Sequence, residues 1–201
     1  MTAGWRHNVR QAAAGLALGV AAALGACSSP EPALYAIAPV SGTVQTSGPK
    51  AIQLRQIGLA RYLERSQIVR SSENYRLDVR ANDWWGEPLA PMVSRVLIEE
   101  LGQRLPHSIV FGEAGAVSTT PDAVIELNVQ RLDENASGAL LLQAQASVGF
   151  KGRNPPTLRS FQFTAPLEGK DARAEVAAIS SAIGQLADGL AVMLLAGPGR
   201  R

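Results

Sequence analysis

Few side chains in this chain could act as a catalytic base or as a metal ligand. The 201 residues include one cysteine and two histidines, and the only histidine beyond residue 26 is His107. A Ser-His-Asp site needs a histidine that a carboxylate orients, and a zinc site needs several cysteine, histidine or carboxylate ligands. His107 follows Pro106 at the end of a predicted helix, where a lone histidine is typical of a surface position. We therefore predict no catalytic residues, no metal site and no enzymatic activity.

Cys27 indicates lipid attachment rather than thiol chemistry. It is the only cysteine, so an intramolecular disulfide is impossible. The run Leu24-Gly25-Ala26-Cys27 resembles the lipobox of bacterial lipoproteins. That resemblance implies a diacylglycerol on the thiol, cleavage before Cys27 and an acyl chain on the new amino group; more than one acyl chain is needed for stable anchoring. We predict no cofactor besides this covalent lipid. A signal peptide with an incidental cysteine, or a buried free thiol, are the alternatives.

Residues 1–26 have the composition of an export signal. Arg6 and Arg10 give a basic start, an apolar run follows from Ala12, and no acidic residue occurs before Glu31. The run is shorter than the roughly 20 residues that span a bilayer, which favours a cleaved signal peptide. Two of the 19 Lys/Arg and none of the 17 Asp/Glu lie in this segment, so the rest of the chain is formally neutral. Without a basic stripe, we predict no nucleic-acid partner.

Two of the three tryptophans lie together, in the cluster Asp83-Trp84-Trp85-Gly86-Glu87-Pro88-Leu89. Tryptophan combines a large apolar surface with an N–H group, and it is favoured at interfaces. Trp85 is expected to plug the core beside the start of a helix. Trp84 is expected to point the other way in an extended segment. For this residue, core packing and exposure to a partner remain alternative predictions.

Two helices must position this cluster and complete the core. Apolar residues recur at helical spacing over 88–105 and again over 173–195. Pro88 suits a first helical turn, and Pro106 stops the first helix. In that helix the sequence pattern assigns four residues to the solvent face, namely Glu99, Glu100, Gln103 and Arg104.

The remaining elements are predicted to be strands. Strict alternation of apolar and polar residues is strongest over 122–132, 139–151 and 158–167. Shorter or weaker strand signals cover 34–37, 51–59, 67–70, 75–79 and 108–111. The order of strands, helix, strands and helix predicts an α+β fold with a mainly antiparallel sheet packed by the two helices. We divide the chain into signal peptide 1–26, lipidated tether 27–33, a single domain 34–196 and a flexible tail 197–201.

Three patches of this chain carry a resemblance to a known family. The first is Leu34-Tyr35-Ala36-Ile37-Ala38-Pro39, just after the lipidated cysteine. The second is Tyr62-Leu63-Glu64-Arg65-Ser66-Gln67-Ile68-Val69, and the third is Trp85-Gly86-Glu87-Pro88-Leu89 followed by Arg95-Val96-Leu97. In their order and spacing these patches resemble the PqiC-like family of ABC-type transport auxiliary lipoproteins, and the resemblance covers the whole mature domain. Departures from the family pattern occur at Glu64, Ser66 and Gly86.

The resemblance implies a lipoprotein that faces the periplasm from the outer membrane. Such a protein works with an MCE-domain protein and an inner-membrane ABC-type complex that moves lipids or other hydrophobic molecules, and no catalytic residues come with the family. Ser28 after the cysteine, instead of Asp, is similar to outer-membrane sorting signals. The resemblance also suggests a homo-oligomeric ring, because a tunnel needs an annular receptor. The predicted partner contacts are Tyr62, Arg65, Gln67, Trp84, Trp85 and Glu87.

Two other functions compete with docking. In the first, the domain carries a lipid between its sheet and the 173–195 helix, where the apolar stripes that we assign to the core would line a cavity. In the second, the chain is an envelope-assembly lipoprotein unrelated to transport.

Overall fold

The structure is a computed structural model that describes residues 31–117, 119–153 and 155–197. The predicted signal peptide, Cys27, most of the tether and the tail from residue 198 lie outside the described residues. Residues from Pro32 onward fall in one unit. Within the described residues, the strands in chain order are β1 (Ala33–Tyr35), β2 (Ala51–Leu54), β3 (Gly58–Leu59), β4 (Gln67–Ser71), β5 (Asp78–Trp85), β6 (Ile109–Gly112), β7 (Ala123–Glu134), β8 (Ala139–Phe150) and β9 (Thr157–Pro166). The helices are α1 (Leu89–Arg104) and α2 (Ala172–Leu195).

Three long strands form an antiparallel meander in the order β7, β8, β9. Their alternation is as predicted, since every second residue is buried from Ala123 to Val129 and from Leu140 to Val148. The intervening side chains of β7, such as Glu126 and Asn128, face solvent. One face of the meander therefore belongs to the core and the other is open.

The second edge of β7 pairs in parallel with three short strands in turn, first β2, then β3, then β4. β6 extends the sheet beyond β2, whereas β5 and β1 extend it beyond β4. The α+β class and the two helices are confirmed, but the sheet is mixed because residues 51–71 run beside β7 in the same direction. The predicted strand 51–59 is interrupted at 55–57, and the strand predicted at 75–79 begins at Asp78 and continues through both tryptophans.

Both helices lie within two residues of their predicted bounds. α1 follows Pro88 and ends before Pro106, and the side chain of Asp171 caps α2 by accepting a hydrogen bond from the Ala174 N–H (2.9 Å). The assignment of α1's polar residues to solvent was wrong in two cases. Glu100 is 0% exposed and Arg104 is 1% exposed, because both face α2 and the segment that crosses it.

That segment, residues 36–50, is irregular and is called the strap below. It crosses both helices and bonds to each: the Ala38 N–H donates to Ser180 Oγ of α2 (3.2 Å), and the Val40 N–H donates to Glu100 Oε1 of α1 (2.7 Å). Among the described residues, α2 is the one helix long and apolar enough to cross a membrane, with a mean hydropathy of 1.6. Of its most apolar 18-residue window, 67% is buried inside the protein, so core packing accounts for its apolar character.

Candidate partner-contact site

Trp84 and Trp85 end β5 and occupy different environments, as successive strand residues do. Trp85 is 6% exposed and belongs to the core. Trp84 is half-buried, and its indole Nε1 donates to the carbonyl of Ala81 (3.0 Å). Its register partner on β4 is Gln67, so these two predicted contact residues are cross-strand neighbours.

A groove of about 580 Å³ opens where β5 passes into α1, and we call it the Trp85 groove. Trp85 forms part of its wall, and the residues just before β4 and the first turn of α1 complete it. Arg65 and Glu87 line it as well, so three of the six predicted contacts meet here. Its lining residues are Leu59, Glu64, Arg65, Ser66, Trp85, Gly86, Glu87, Pro88, Leu89 and Ala90.

Backbone hydrogen bonds fix the shape of the Trp85 groove. The Trp85 N–H donates to the Ser66 carbonyl (2.7 Å), and the Gly86 N–H donates to the Tyr35 carbonyl (2.8 Å). The Arg65 Nε donates to the Tyr62 carbonyl (3.1 Å), which holds an exposed guanidinium beside the groove. The side chains of Arg65 and Glu87 are thus carried by backbone that is held in place beside β1, β4 and β5.

A second groove of about 470 Å³ lies on the other side of the first turns of α1, and we call it the Ile98 groove. Its lining is more apolar than that of the Trp85 groove, and Ala90 borders both. Its lining residues are 54–57, Ala90, Pro91, Ser94, Arg95, Ile98 and 112–115. Glu87 of the first groove accepts a hydrogen bond from Arg95 Nη2 of the second (2.6 Å). Both partners are 39–52% exposed, so this ion pair stabilises the fold by at most about 1 kcal/mol and marks a charged ridge between the grooves.

Tyr62 lies outside the Trp85 groove lining, and its hydroxyl is engaged elsewhere. It donates to Asp133 Oδ2 (2.8 Å), and Asp133 is fully buried. Burial, together with the hydrogen bond to this carboxylate, raises the pKa of Tyr62 well above its ordinary value. Its hydroxyl therefore secures the 3-10 turn Arg61–Leu63 against β7.

Asp133 belongs to a polar network that the sequence analysis missed. Arg131 Nε donates to Asp133 Oδ1 (2.7 Å), and Arg131 Nη2 pairs with Glu73. Burial alone would lower the pKa of Arg131, but its hydrogen bonds with Glu73 and Asp133 raise it overall. The sequence holds a signal for it, because the apolar alternation through Ile125, Leu127 and Val129 breaks before Leu132, at the point where the register with β8 is irregular.

Comparison with known proteins decides the family. The sequence model of the ABC-type transport auxiliary lipoprotein component family matches residues 33–191, which include the whole sheet and most of α2. The chain belongs to that family. The match spans all three sequence patches on which the resemblance was based, and it includes both grooves.

Solved structures support the family's fold for this chain. One crystal structure of an uncharacterized protein is 15% identical and covers 81% of this chain and 98% of its own, with a TM-score of 0.68. A protein from Xanthomonas campestris is 18% identical and covers 82% of this chain and 95% of its own, with a TM-score of 0.67. The PelC dodecamer from Paraburkholderia phytofirmans is 11% identical and covers 81% of this chain and 96% of its own, at a TM-score of only 0.43. No curated protein matches by sequence.

The described residues that line the two grooves include no histidine and no cysteine. His107 is exposed in the turn after α1. Among the described residues, no group of three or more His, Cys, Asp or Glu side chains could hold a metal ion. What the grooves offer is an apolar floor with charged edges of both signs, which is the composition of a protein-contact surface.

Proposed function

We propose that this chain is a non-catalytic docking subunit, anchored in the outer membrane, of an MCE/ABC-type system that transports lipids or other hydrophobic compounds. Membership of the family of transport auxiliary lipoproteins is the observation that carries the proposal. In this role Cys27 bears the diacylglycerol and the N-acyl chain, and the folded domain faces the periplasm.

The Trp85 groove and the neighbouring Trp84–Gln67 pair supply the surface that receives the MCE-domain protein. Binding energy at protein interfaces concentrates in Trp, Tyr and Arg side chains next to well-packed pockets. Arg65 and Trp84 meet this description, because Arg65 edges the groove and Trp84 keeps part of its indole accessible. Trp85 contributes mainly by shaping the groove from within the core.

Capture of the partner tests this surface. The Arg65→Ala/Trp84→Ala double variant, expressed as the acylated chain, is expected to recover about one tenth as much MCE-domain protein from solubilised envelopes as the unaltered chain. Arg153→Ala is the matched control, since Arg153 is exposed in the turn between β8 and β9 and lines neither groove. Thermal unfolding must first establish that both variants are folded.

Two results would count against the proposal in different ways. If the folded double variant captures the MCE-domain protein at full strength, the contact surface lies elsewhere. If the unaltered chain captures no MCE-domain protein, the transport role itself is wrong. Sedimentation of the detergent-solubilised protein decides whether it forms the homo-oligomeric ring that an annular receptor requires.

The rival functions have their own tests. The apolar stripes proposed for lipid carriage are filled core, since Leu140, Leu142, Ile183 and Leu186 are all 0% exposed. Their burial favours docking over carriage, and native mass spectrometry that finds a lipid held non-covalently would reverse this preference. An MCE gene beside an ABC permease gene supports transport over a general role in envelope assembly.

A further inference from the structure

The turn between β4 and β5 holds an aromatic residue in an unusual backbone conformation. The Arg76 N–H donates to the Glu73 carbonyl (3.1 Å), and the two residues between them, Asn74 and Tyr75, have φ values of 56° and 61°. Asparagine tolerates this left-handed region, but a bulky aromatic residue rarely adopts it. A strained residue of this kind persists only where the surrounding structure imposes it.

Contacts with β7 impose the conformation. Glu73 pairs with Arg131, and Ser71 Oγ, which accepts from the Glu73 N–H (3.3 Å), donates to the Glu134 carbonyl (3.0 Å). The turn is thereby tied down, while Tyr75 is fully exposed (111%). Its neighbour Arg76 is exposed and has no ion-pair partner within the part of the chain that the structure describes, whereas Arg70 and Arg131 are paired.

The register of β1 shows where this turn lies relative to the incoming chain. β1 pairs in parallel with β5, and Ala33 lies opposite Asp83. The chain before β1 is therefore directed toward the start of β5, which is the end that carries Tyr75. Asp83 is five residues from the start of β5 at Asp78, or about 17 Å of strand. Cys27 precedes Ala33 by six residues, which span at most about 20 Å.

We propose that the turn Glu73–Arg76 rests on the headgroup layer of the bilayer that holds the acylated Cys27. Tyr75 inserts its ring at the membrane–water boundary, where tyrosine is enriched, and the Arg76 guanidinium pairs with lipid phosphate. The proposal rests on the acylation proposed above. A lipid surface is favoured over a protein partner because the tether keeps the bilayer within reach of this end of the domain at a high effective concentration.

Fluorescence quenching in the acylated full chain tests the contact. In the Tyr75→Cys variant, a polarity-sensitive dye is attached to the added thiol, since lipidation has consumed the thiol of Cys27. The protein is reconstituted into vesicles of phosphatidylethanolamine and phosphatidylglycerol that contain a headgroup-linked quencher. Leu158→Cys is the control, because Leu158 is 74% exposed at the opposite end of the sheet, where β9 begins.

The dye at position 75 is expected to be quenched at least fivefold more strongly than the dye at position 158. Removing one basic charge weakens attraction to an anionic surface about fivefold, so Arg76→Gln should lower the quenching in vesicles with phosphatidylglycerol and have less effect in neutral ones.

Each contrary result has its own meaning. Equal quenching at positions 75 and 158 in a firmly anchored chain overturns this inference and leaves the docking function intact. If the chain purified from envelopes proves to carry no acyl groups and washes off the vesicles, both this inference and the anchored docking function are wrong. Crosslinking of position 75 to a second copy or another protein, without quenching, assigns the turn to a protein contact and also overturns the inference.

Discussion

Glu100 and Arg104 place two charged side chains between α1, α2 and the strap. Each guanidinium nitrogen of Arg104 has an acceptor: Nε donates to Asp188 Oδ1 (2.6 Å), Nη1 to the Val40 carbonyl (3.0 Å) and Nη2 to the Gly184 carbonyl (3.0 Å). The carboxylate of Glu100 is only partly hydrogen-bonded. Its Oε1 accepts from the Val40 N–H, but Oε2 has no hydrogen-bond partner among the described residues. An ionised carboxylate in this position carries a desolvation cost that its single bond does not offset.

The stability of the domain should therefore depend on the protonation of Glu100. Burial raises the pKa of Glu100 from 4.5 to about 7, with Asp188 and Glu99 acting in the same direction and the Val40 N–H and Arg104 opposing it. Between these pH values the folded state binds more protons than the unfolded state, so the free energy of unfolding falls as the pH rises and levels off above about pH 7. The loss is on the order of 3 kcal/mol.

Denaturant unfolding of the unaltered protein and of Glu100→Gln at pH 5 and pH 8 measures this effect. The variant keeps an acceptor for Val40 and cannot ionise, so its stability should change much less between the two pH values. Part of the slope will persist because burial also raises the pKa of Glu175. Glu168→Gln is the control, since Glu168 is exposed and is not among the groups that act on Glu100. An unchanged pH dependence in Glu100→Gln would show that Glu100 titrates normally.

The burial of these two charges was partly readable from the sequence. Met92, Val96, Glu100 and Arg104 follow one another at four-residue intervals, so helical phase alone places all four on one face. Because both side chains are charged, the sequence analysis assigned them to the solvent face of α1 instead. What no periodicity reveals is the strap, whose backbone supplies Val40 to both side chains.

At the level of elements, alternation and helical spacing predicted α1, α2 and the three long strands nearly to the residue. They did not predict which strands pair, because the short strands β2, β3 and β4 are selected by contact with β7 and not by their own patterns. The grooves beside α1 follow from this pairing. Trp85 and Glu87 were found from residue type, whereas the grooves are also lined by the segments before β4, after β2 and after β6, which no local pattern brings together.

Two helical glycines should respond oppositely to alanine. Gly102 of α1 has open space around an added Cβ, so Gly102→Ala should raise the free energy of unfolding by about 0.5–1 kcal/mol through helix propensity. An added Cβ on Gly184 of α2 would lie 3.0 Å from the Val40 Cβ, and Gly184→Ala should lower that free energy by about 1 kcal/mol or more as the strap is displaced. Urea unfolding at one pH compares them. If both variants are stabilised alike, the strap does not pack on α2.

For the whole molecule, β5 separates two surfaces with different tasks. Its first residue, Asp78, adjoins the turn proposed to meet the bilayer, and its last, Trp85, walls the groove proposed to receive the partner. About 23 Å of strand lies between them. If the turn rests on the membrane, the Trp85 groove stands clear of the headgroups and is accessible to a protein that crosses the periplasm. The same rigid sheet would then fix the height and the orientation of the docking surface.

The tether should set how firmly that orientation is held. Inserting a flexible Gly/Ser segment before Pro32 that doubles the distance in sequence between Cys27 and β1 lowers the effective concentration of the turn at the bilayer about threefold, since this concentration falls as roughly the −3/2 power of linker length. Quenching of the dye in the Tyr75→Cys variant should fall accordingly, while capture of the MCE-domain protein stays the same because the grooves are untouched. A rigid Pro-rich insert of equal length is the matched control and should lift the turn from the membrane altogether. Unchanged quenching with both inserts would mean that the turn binds the bilayer independently of the anchor, and loss of capture with the flexible insert would mean that docking depends on the height of the domain above the membrane.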